Sequence, residues 1–502
     1  MGLIFGFYTN LYLILEKIIT MKTLNTIALL NICSFFAFAQ QENWNNGGGN
    51  PSRNGFVSIN GPTQDSVLWE TNSGGLFGMP GYIEGNNYVT MRYYSGSYSP
   101  IECYDVTNGT LLWQRDITEL TARSLPVGLR DDQIYAVKLT DNLSDTLYAL
   151  DVATGNTLWT SNVTVDPNIT ASVTFASNGD FFIERFYEMC RINHITGEAI
   201  WQTEVIPQVL GHCELSVFGN TGYFVQLVDG LVSVSALDIE TGLVKYSKAL
   251  TDTHPGGPLQ QCQIMVGNNG VIYAQKQADN ITALEDDGES LNILWETEIF
   301  GSAPFSSTCI GADSNIYVPS FGKILKLDYQ TGEKIDSSFG ISSTPDLFQL
   351  RVSATQNNLI FATNGQNILY AFNTDLDILW TDVITGVNNS GATISANGLV
   401  AVSGANIIKV YTPSATTELE EHNRIFDFDF YPNPANNKLN IKFDKPNFIG
   451  SLYKIYDEAG RVMATGKFLN KSSVLDLGNF PTGNYLVKIG GNKKHTFKFI
   501  KE

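Results

Sequence analysis

Cysteine and histidine residues occur at similar places in the chain and could together bind a ligand. Cys213, Cys262 and Cys309 each stand at the start of a short apolar strand predicted in three successive repeat units, and His212 precedes the first of them. Thiolate and imidazole groups that face one another bind soft metal ions. Two other interpretations stay open, because cysteine also fills crowded apolar space and because two of the three could form a disulfide.

Other side chains that could take part in binding or catalysis are more scattered along the chain. Arg123 and Arg351 begin similar predicted strands and could hold an anionic ligand, or could be solvated charges at a rim. The acidic turn 285–289 carries oxygen ligands for calcium but lacks the alternating spacing of known calcium loops. His194 and His254 lie in predicted loops without a nucleophile beside them. Since GxSxG, HExxH and P-loop sequences are also missing, the residues favour a non-catalytic role, although they leave enzyme activity open.

A repeated β-hairpin must position these residues. The stretch 147–163 reads LYALDVATGNTLWTSNV, in which two apolar runs flank a Thr-Gly turn. Copies of it recur at intervals of 46, 42, 45, 47, 43 and 45 residues, and a period near 45 with four strands per unit is typical of β-propeller blades. The residues that begin the turns are Asp105, Asp151, Asn193, Asp238, Glu285, Asp328 and Asn373.

The two ends of the repeat region complement each other. Residues 66–70 read SVLWE, like a last strand without its hairpin partner, and residues 407–411 read IIKVY, like a third strand without a fourth. Pairing these strands would close a ring and remove both sheet edges. We therefore predict an all-β fold with an eight-bladed β-propeller over 65–413. A seven-bladed ring is the alternative if the weak copies around Glu285 and Ile335 belong to one blade.

The pattern YALDxxTGxxxW resembles the repeat of PQQ-like propellers, the quinoprotein alcohol dehydrogenase-like family. The resemblance implies that the Trp of each last strand packs between neighbouring blades. Enzymes of the PQQ class add a disulfide between adjacent cysteines, a calcium ion and a basic residue at the quinone. This chain has no Cys-Cys pair, so we expect no cofactor, with PQQ and calcium as the alternative. The tryptophans concerned are Trp113, Trp159, Trp201, Trp295 and Trp380.

The charge of the chain is unevenly distributed. Its net charge is −19, of which residues 40–424 contribute −25 and residues 425–502 contribute +5. Nucleic-acid binding requires a basic face, so an acidic body with a small basic end excludes nucleic acid as the expected partner.

The N-terminus predicts export. Residues 1–39 contain an apolar run that ends in an A-x-A site, so we expect a signal peptide cleaved between Ala39 and Gln40, with Met21 as the true start. A membrane anchor formed by the same residues is the alternative, but three charged residues interrupt their apolar run. The mature form would then begin with a lead-in over 40–64 and carry no transmembrane anchor.

A separate domain follows the repeats. Residues 414–424 are polar and acidic, which is typical of a linker, and 425–502 alternates strand-like runs with Gly and Pro turns. We predict a small Ig-like antiparallel β-sandwich there. This region resembles the type A C-terminal sorting domain of the type IX secretion system, which implies passage through the periplasm and contact with the secretion machinery. The matching residues are Tyr431, Pro432, Asn433, Pro434, Gly460, Pro481, Gly483, Tyr485 and Lys498.

Together these features predict secreted or surface-displayed cargo. The propeller would act as a non-catalytic binding or scaffold module for a protein or a glycan. The alternative is a quinoprotein-type oxidoreductase, or another enzyme with a site at the mouth of the propeller channel.

Overall fold

All regular elements of the described residues are β-strands in the computed structural model of the protein. Two compact units divide the chain, one ending at Ala415 and the other beginning at Thr416. The structure describes residues 44–77, 81–93, 99–118, 123–139, 145–165, 172–185, 188–205, 215–250, 262–276, 280–299, 307–320, 322–341, 351–363, 367–385, 391–413, 428–432, 434–443, 449–457, 461–490 and 495–502.

The recurring turn is held by its first residue. The carboxylate of Asp151 accepts the backbone N–H of Thr154 at 2.8 Å and its hydroxyl at 2.6 Å. The N–H of Gly155 donates to the carbonyl of Asp151 at 2.8 Å, with φ of +70° at the glycine. Only glycine adopts such a φ at little cost, so the Thr-Gly pair sets the hairpin. Asp238 and Asp328 form the same bonds to their threonines, which confirms the predicted repeat.

Two strands precede the repeats. In the first half of the repeat region, the four strands of each sheet are antiparallel and lie side by side in chain order. The preceding strands are β1 (Phe56–Val57) and β2 (Val67–Phe77). The first sheet holds β3 (Tyr82–Glu84), β4 (Asn87–Tyr93), β5 (Ile101–Asp105) and β6 (Leu111–Arg115), and the second β7 (Arg123–Arg130), β8 (Gln133–Leu139), β9 (Asp145–Asp151) and β10 (Thr157–Val165). The third holds β11 (Thr174–Phe175), β12 (Phe181–Arg185), β13 (Glu188–Ile192) and β14 (Ala199–Glu204), and the fourth β15 (Ser216–Phe218), β16 (Thr221–Val228), β17 (Leu231–Asp238) and β18 (Val244–Ala249).

The second half repeats this order. The fifth sheet holds β19 (Cys262–Val266), β20 (Ile272–Lys276), β21 (Asn280–Asp286) and β22 (Leu291–Glu298), and the sixth β23 (Cys309–Ile310), β24 (Ile316–Ser320), β25 (Lys323–Leu327) and β26 (Lys334–Ser337). The seventh holds β27 (Arg351–Thr355), β28 (Ile360–Thr363), β29 (Ile368–Phe372) and β30 (Ile378–Val383), and β1 adds to it in parallel with β27. Two strands remain, β31 (Thr393–Ile394) and β32 (Val400–Tyr411).

A closing sheet joins the two ends of the repeat region. β2 runs antiparallel to β32, with Val67 opposite Tyr411 and Trp69 opposite Val410, and β31 pairs with the start of β32. The pairing predicted for 66–70 and 407–411 is therefore confirmed. Two residue pairs at the end of β2 also join this closing sheet to β4 of the first sheet.

Tryptophans on the last strands connect successive sheets. The indole Nε1 of Trp113 donates to the carbonyl of Val152 at 2.7 Å, in the turn of the next sheet. Its ring covers Gly155 of that turn, where a Cβ would lie 2.8 Å from Trp113 Cε3. The predicted packing role of these tryptophans is confirmed. The same contacts join Trp69 to Val106 and Gly109, Trp159 to His194 and Gly197, Trp201 to Ile239 and Gly242, and Trp295 to Tyr329 and Gly332.

Other side chains replace the tryptophan at two junctions. Between the fourth and fifth sheets, the hydroxyl of Tyr246 donates to the carboxylate of Asp286 at 2.5 Å. On β26, the tryptophan position is occupied by Asp336, which pairs with Lys326 as Trp113 of β6 pairs with Cys103. The Nζ of Lys326 donates at 2.8 Å to the carbonyl of Thr374, the turn position that elsewhere receives the indole N–H. The weak sequence copies thus belong to separate sheets.

The apolar core consists of clusters between neighbouring sheets. Between the second and third sheets, the ring of Tyr135 lies 4.4 Å from that of Phe181 and 5.6 Å from that of Phe175, measured between centroids. All three side chains are buried. Aromatic burial of this kind holds neighbouring sheets face to face.

The C-terminal unit contains two sheets. Leu439 and Ile441 of the three-stranded sheet and Val487 of the four-stranded sheet are buried in one cluster, so the two sheets share a core. The three-stranded sheet orders β33 (Phe428–Tyr431), β34 (Lys438–Phe443) and β37 (Ser472–Asp476). The four-stranded sheet orders β36 (Val462–Lys467), β35 (Leu452–Asp457), β38 (Gly483–Gly490) and β39 (His495–Lys501).

Candidate functional site

Four of the six residues predicted at the channel rim begin first strands. Arg123 begins β7 with an exposed side chain, Cys262 begins β19, Cys309 begins β23 and Arg351 begins β27. The side chains of Cys262 and Arg351 lie outside the described part of the structure, and so do both residues of the His212-Cys213 pair. A shared rim site for these residues stays a prediction.

Cys309 lies in an apolar environment. Its side chain is fully buried in a cluster with Tyr317 and Val352, and it carries a free thiol. Burial, with a smaller contribution from the charge of Asp313, raises the pKa of this thiol above its ordinary value. This environment is that of a cysteine that fills apolar space, which is one of the interpretations left open for it.

A calcium–quinone site would need several oxygen ligands close together near the centre of the ring. In the part of the chain that the structure describes, no three His, Cys, Asp or Glu residues are grouped closely enough to hold a metal ion. Gly55 lies directly beside Cys309, since a Cβ added to it would lie 2.7 Å from Cys309 Cβ. The expectation that no cofactor binds stays a prediction.

His194 has a carboxylate partner that the sequence did not reveal. Its Nδ1 lies 3.0 Å from an oxygen of Asp180, whose other oxygen accepts Arg191 Nη2 at 3.0 Å. Burial raises the pKa of Asp180, but hydrogen bonds from His194, Asn178 and Arg191 together hold it below its ordinary value. Arg191 also donates to the carbonyl of Ile239 in the fourth sheet at 2.8 Å. The group thus joins two sheets, whereas His254 falls outside the described residues.

A second buried charge pair lies in the first sheet. Arg92 and Glu102 form an ion pair of 3.0 Å, and Tyr104 donates to Glu102 at 2.6 Å. Burial raises the pKa of Glu102, and the bonds from Tyr104 and Arg92 oppose that effect. The tyrosine stacks near Trp69, with ring centroids 6.3 Å apart, so the pair stands at the junction with the closing sheet.

In the C-terminal unit, two sorting motifs meet at one end. Ala435, one residue after the YPNP motif, pairs in parallel with Lys501, and Lys501 also pairs with Gly483 of the PTGN motif. Tyr485 is buried and donates its hydroxyl to the carbonyl of Pro481 at 2.6 Å, so it links two residues of the PTGN region. The exposed residues of this end, which we term the sorting pole, are Tyr431, Pro432, Pro434 and Pro481. Asn433, Gly460 and the Lys498 side chain lie outside the described part.

Comparison with known families identifies both units. A family model described as outer membrane protein assembly factor BamB matches residues 53–208 and again 143–310, which together span just over half of the chain. The chain belongs to this family of PQQ-like propeller repeats. A second model, the secretion system C-terminal sorting domain, matches residues 429–502. No curated protein matches the chain.

Solved structures agree with the propeller fold. BamB from Moraxella catarrhalis is 14% identical with a TM-score of 0.54, and the match covers 69% of this chain and 99% of BamB. Quinohemoprotein alcohol dehydrogenase from Comamonas testosteroni is 14% identical with a TM-score of 0.56, covering 80% and 84%. A europium-containing methanol dehydrogenase is 12% identical with a TM-score of 0.51, covering 72% and 90%. At these identities the similarity shows the fold alone.

The sorting domain indicates where this propeller protein goes. It implies interaction with the type IX secretion machinery and export to the cell surface or the extracellular space. Among the described residues, no helix has the length and apolar character needed to cross a membrane.

Proposed function

We propose that this protein is exported cargo whose propeller acts as a non-catalytic binding module for a protein or a glycan. The observation that carries the proposal is a sorting domain over 429–502 that follows a propeller. The buried charged side chains of this propeller form ion pairs with one another and hold its sheets. Asp180, Arg191 and His194 illustrate this, because each of them bonds within the third sheet or to the fourth.

The architecture is part of the proposal. We assign eight blades, counting the seven sheets in chain order and the closing sheet as the eighth; the strand pairing of β2 with β32 supports this number. The C-terminal unit, with its two sheets on one core, is assigned as an Ig-like sandwich. The boundaries are those expected from sequence: a signal peptide over 1–39, a lead-in over 40–64, the propeller over 65–413, a linker over 414–424 and the sorting domain over 425–502.

An outer ring of exposed aliphatic side chains supports a binding role. One such residue directly precedes the tryptophan position on the last strand of every sheet except the fourth, where Lys245 stands. Their exposed fractions lie between 41% and 50%. In the seven sheets that follow chain order, the last strand is also an edge strand of its sheet, and such edges bind added strands or apolar partners. The outer ring consists of Leu68, Leu112, Leu158, Ile200, Leu294, Ile335 and Leu379.

Export is tested by removing the sorting domain. We expect a chain ending at Arg424 to accumulate in the periplasm, whereas the full chain reaches the cell surface or the medium. Fractionation and immunoblotting measure the difference. Equal export of both chains would refute the assignment of residues 425–502.

Binding is tested with whole cells and a matched pair of variants. Leu158 and Thr160 are both exposed on β10 and stand two residues apart, but only Leu158 belongs to the outer ring. We expect Leu158→Lys to reduce co-sedimentation of the mature chain with cells, and Thr160→Lys to leave it unchanged. Loss of binding after protease treatment of the cells identifies a protein partner, and loss after periodate oxidation identifies a glycan.

A quinone-dependent activity would overturn the proposal. The mature chain is incubated with PQQ and calcium, and absorbance, thermal shift and dye-linked oxidation of alcohols and sugars are followed. A stoichiometric chromophore with turnover would make the protein an enzyme. We expect neither.

A further inference from the structure

First strands of six sheets donate hydrogen bonds to one continuous segment, residues 44–59, which we call the axial segment. The donors follow the order of the sheets, and the acceptors follow the order of the chain. The third sheet contributes a side chain instead, since Ser172 Oγ accepts the N–H of Gly47 at 2.7 Å. The backbone pairs, donor first, are Ile83 and Trp44 (2.9 Å), Leu129 and Asn45 (3.1 Å), Val217 and Pro51 (2.8 Å), Val266 and Ser52 (2.9 Å), Ile310 and Asn54 (2.9 Å), and Ala354 and Gly55 (2.7 Å).

This pattern places the axial segment at the centre of the ring. The last strand of each sheet is the edge farthest from its first strand. A short segment that bonds to so many first strands in turn must lie where those strands converge. There it satisfies backbone N–H groups that an edge strand would otherwise leave unpaired.

Side chains of the axial segment also recognise the surrounding sheets. Asn54 Nδ2 donates to the carbonyl of Val266 at 3.1 Å, and Arg53 Nη1 donates to the hydroxyls of Ser172 and Thr174 at 3.1 and 3.2 Å. Arg53 is only 6% exposed and Asn54 only 2%. Buried polar groups are costly unless their bonding geometry is matched, so these contacts depend on the sequence of the segment.

The glycines of the segment are required by the same packing. A Cβ on Gly47 would lie 2.7 Å from Ser172 Oγ, one on Gly48 would lie 2.5 Å from Arg53 Cβ, and one on Gly55 would meet Cys309 Cβ at 2.7 Å. Within the segment, the N–H of Gly55 donates to the carbonyl of Gly48 at 3.0 Å. The segment is therefore folded on itself and fitted to its site, as a peptide ligand is.

We propose that the axial segment is a built-in peptide ligand and that the first strands of the propeller form its binding site. The segment leads directly into β2, the strand that completes the closing sheet, so one stretch of chain fills the centre and closes the ring. This end of the channel is consequently occupied by the protein itself, and an external partner has to bind elsewhere. The proposal does not depend on the function proposed above.

The test separates the segment from the propeller after folding. Thr63, Gln64 and Asp65 are exposed, so a specific protease site is inserted after Gln64 in the mature chain. The protein is folded, cleaved and passed over a sizing column. We expect the released fragment to co-elute with the propeller. A fragment that separates at once, leaving the urea midpoint of the propeller unchanged, would overturn the proposal.

Synthetic peptides then measure specificity without requiring any variant to fold. A labelled peptide of residues 40–60 is exchanged into the cleaved protein, and unlabelled peptides compete with it. Asn54→Ala removes a buried side chain with a bond to the first strand of the fifth sheet, whereas Asn60→Ala changes an exposed one of the same type. We expect the Asn54→Ala peptide to compete about tenfold less well and the Asn60→Ala peptide to match the parent. Equal competition by both peptides would refute sequence-specific binding.

Discussion

The contact between a tryptophan and the glycine of the next turn is tested by Gly197→Ala. At this position φ is +72°, and an added Cβ would lie 2.4 Å from Trp159 Cε3. The ring cannot withdraw freely, because its Nε1 donates to the carbonyl of His194 at 2.9 Å. The left-handed backbone costs an alanine about 1–2 kcal/mol, and overpacking adds about 1–3 kcal/mol. We therefore expect the free energy of unfolding to fall by about 2–5 kcal/mol.

A matched control separates the two contributions. Gly230 has φ of +80°, but nothing lies within 4 Å of its Cβ position. Gly230→Ala should therefore lose only the backbone contribution, about 1–2 kcal/mol. The assay is urea unfolding of the mature chain followed by tryptophan fluorescence. All 7 tryptophans lie between Trp44 and Trp380, so the signal reports on the first unit and not on the C-terminal unit.

A double variant measures whether Trp159 and residue 197 are coupled. Trp159→Leu removes the ring that an alanine at 197 would strike. The cost of Gly197→Ala in that background should then fall to that of the control, a coupling of about 1–3 kcal/mol. Equal costs for Gly197→Ala and Gly230→Ala, or additive costs in the double variant, would refute the idea that the ring holds the turn.

Three further outcomes are expected. Lys326→Met breaks a partly buried ion pair with Asp313 and the bond to Thr374, so the free energy of unfolding should fall by about 2–3 kcal/mol in the same urea assay. Lys334→Met on the exposed face should have no effect. The pKa of Asp180 is lowered in the folded state, so its contribution to stability is complete above its ordinary pKa of 3.8 and is lost as the pH falls further. Asp180→Asn should therefore flatten the fall of the urea midpoint between pH 4 and pH 2. An unchanged slope would contradict this. Burial raises the pKa of Cys103 to about 12, so this thiol should react with a maleimide only after unfolding, as peptide mass mapping can establish.

Local sequence determined the parts of the fold that could be predicted. The turn at Asp151 and Gly155 depends on residues within five positions of each other, so a repeat search finds every strong copy. Ring closure was also predictable, because 66–70 and 407–411 are each incomplete without the other. The YPNP and PTGN motifs were visible for the same reason, although only the structure brings them together at Lys501.

Contacts between distant residues could not be predicted. The sequence predicts only a lead-in over 40–64, whereas in the structure Asn54 of the axial segment bonds to Val266 more than 200 positions away. His194 was correctly placed in a loop, but its carboxylate partner at Asp180 follows from how the turns of one sheet meet. The burial of Cys309 likewise depends on the axial segment above it.

The junction after β26 shows how two sheets are joined without a tryptophan. Where β26 lacks a tryptophan, the next turn also lacks a glycine: Leu376 takes φ of +54° there and is buried in the shared core. The carbonyl of Thr374 still receives a donor, from Lys326 instead of an indole. Two conditions are therefore met at this junction, a donor for the turn carbonyl and a filled space beside the turn. The residues that meet these conditions change together here, which explains why the copy around Ile335 is weak while its sheet is intact. At the copy around Glu285 the junction is different, because the hydroxyl of Tyr246 bonds to the carboxylate of Asp286 instead of a turn carbonyl.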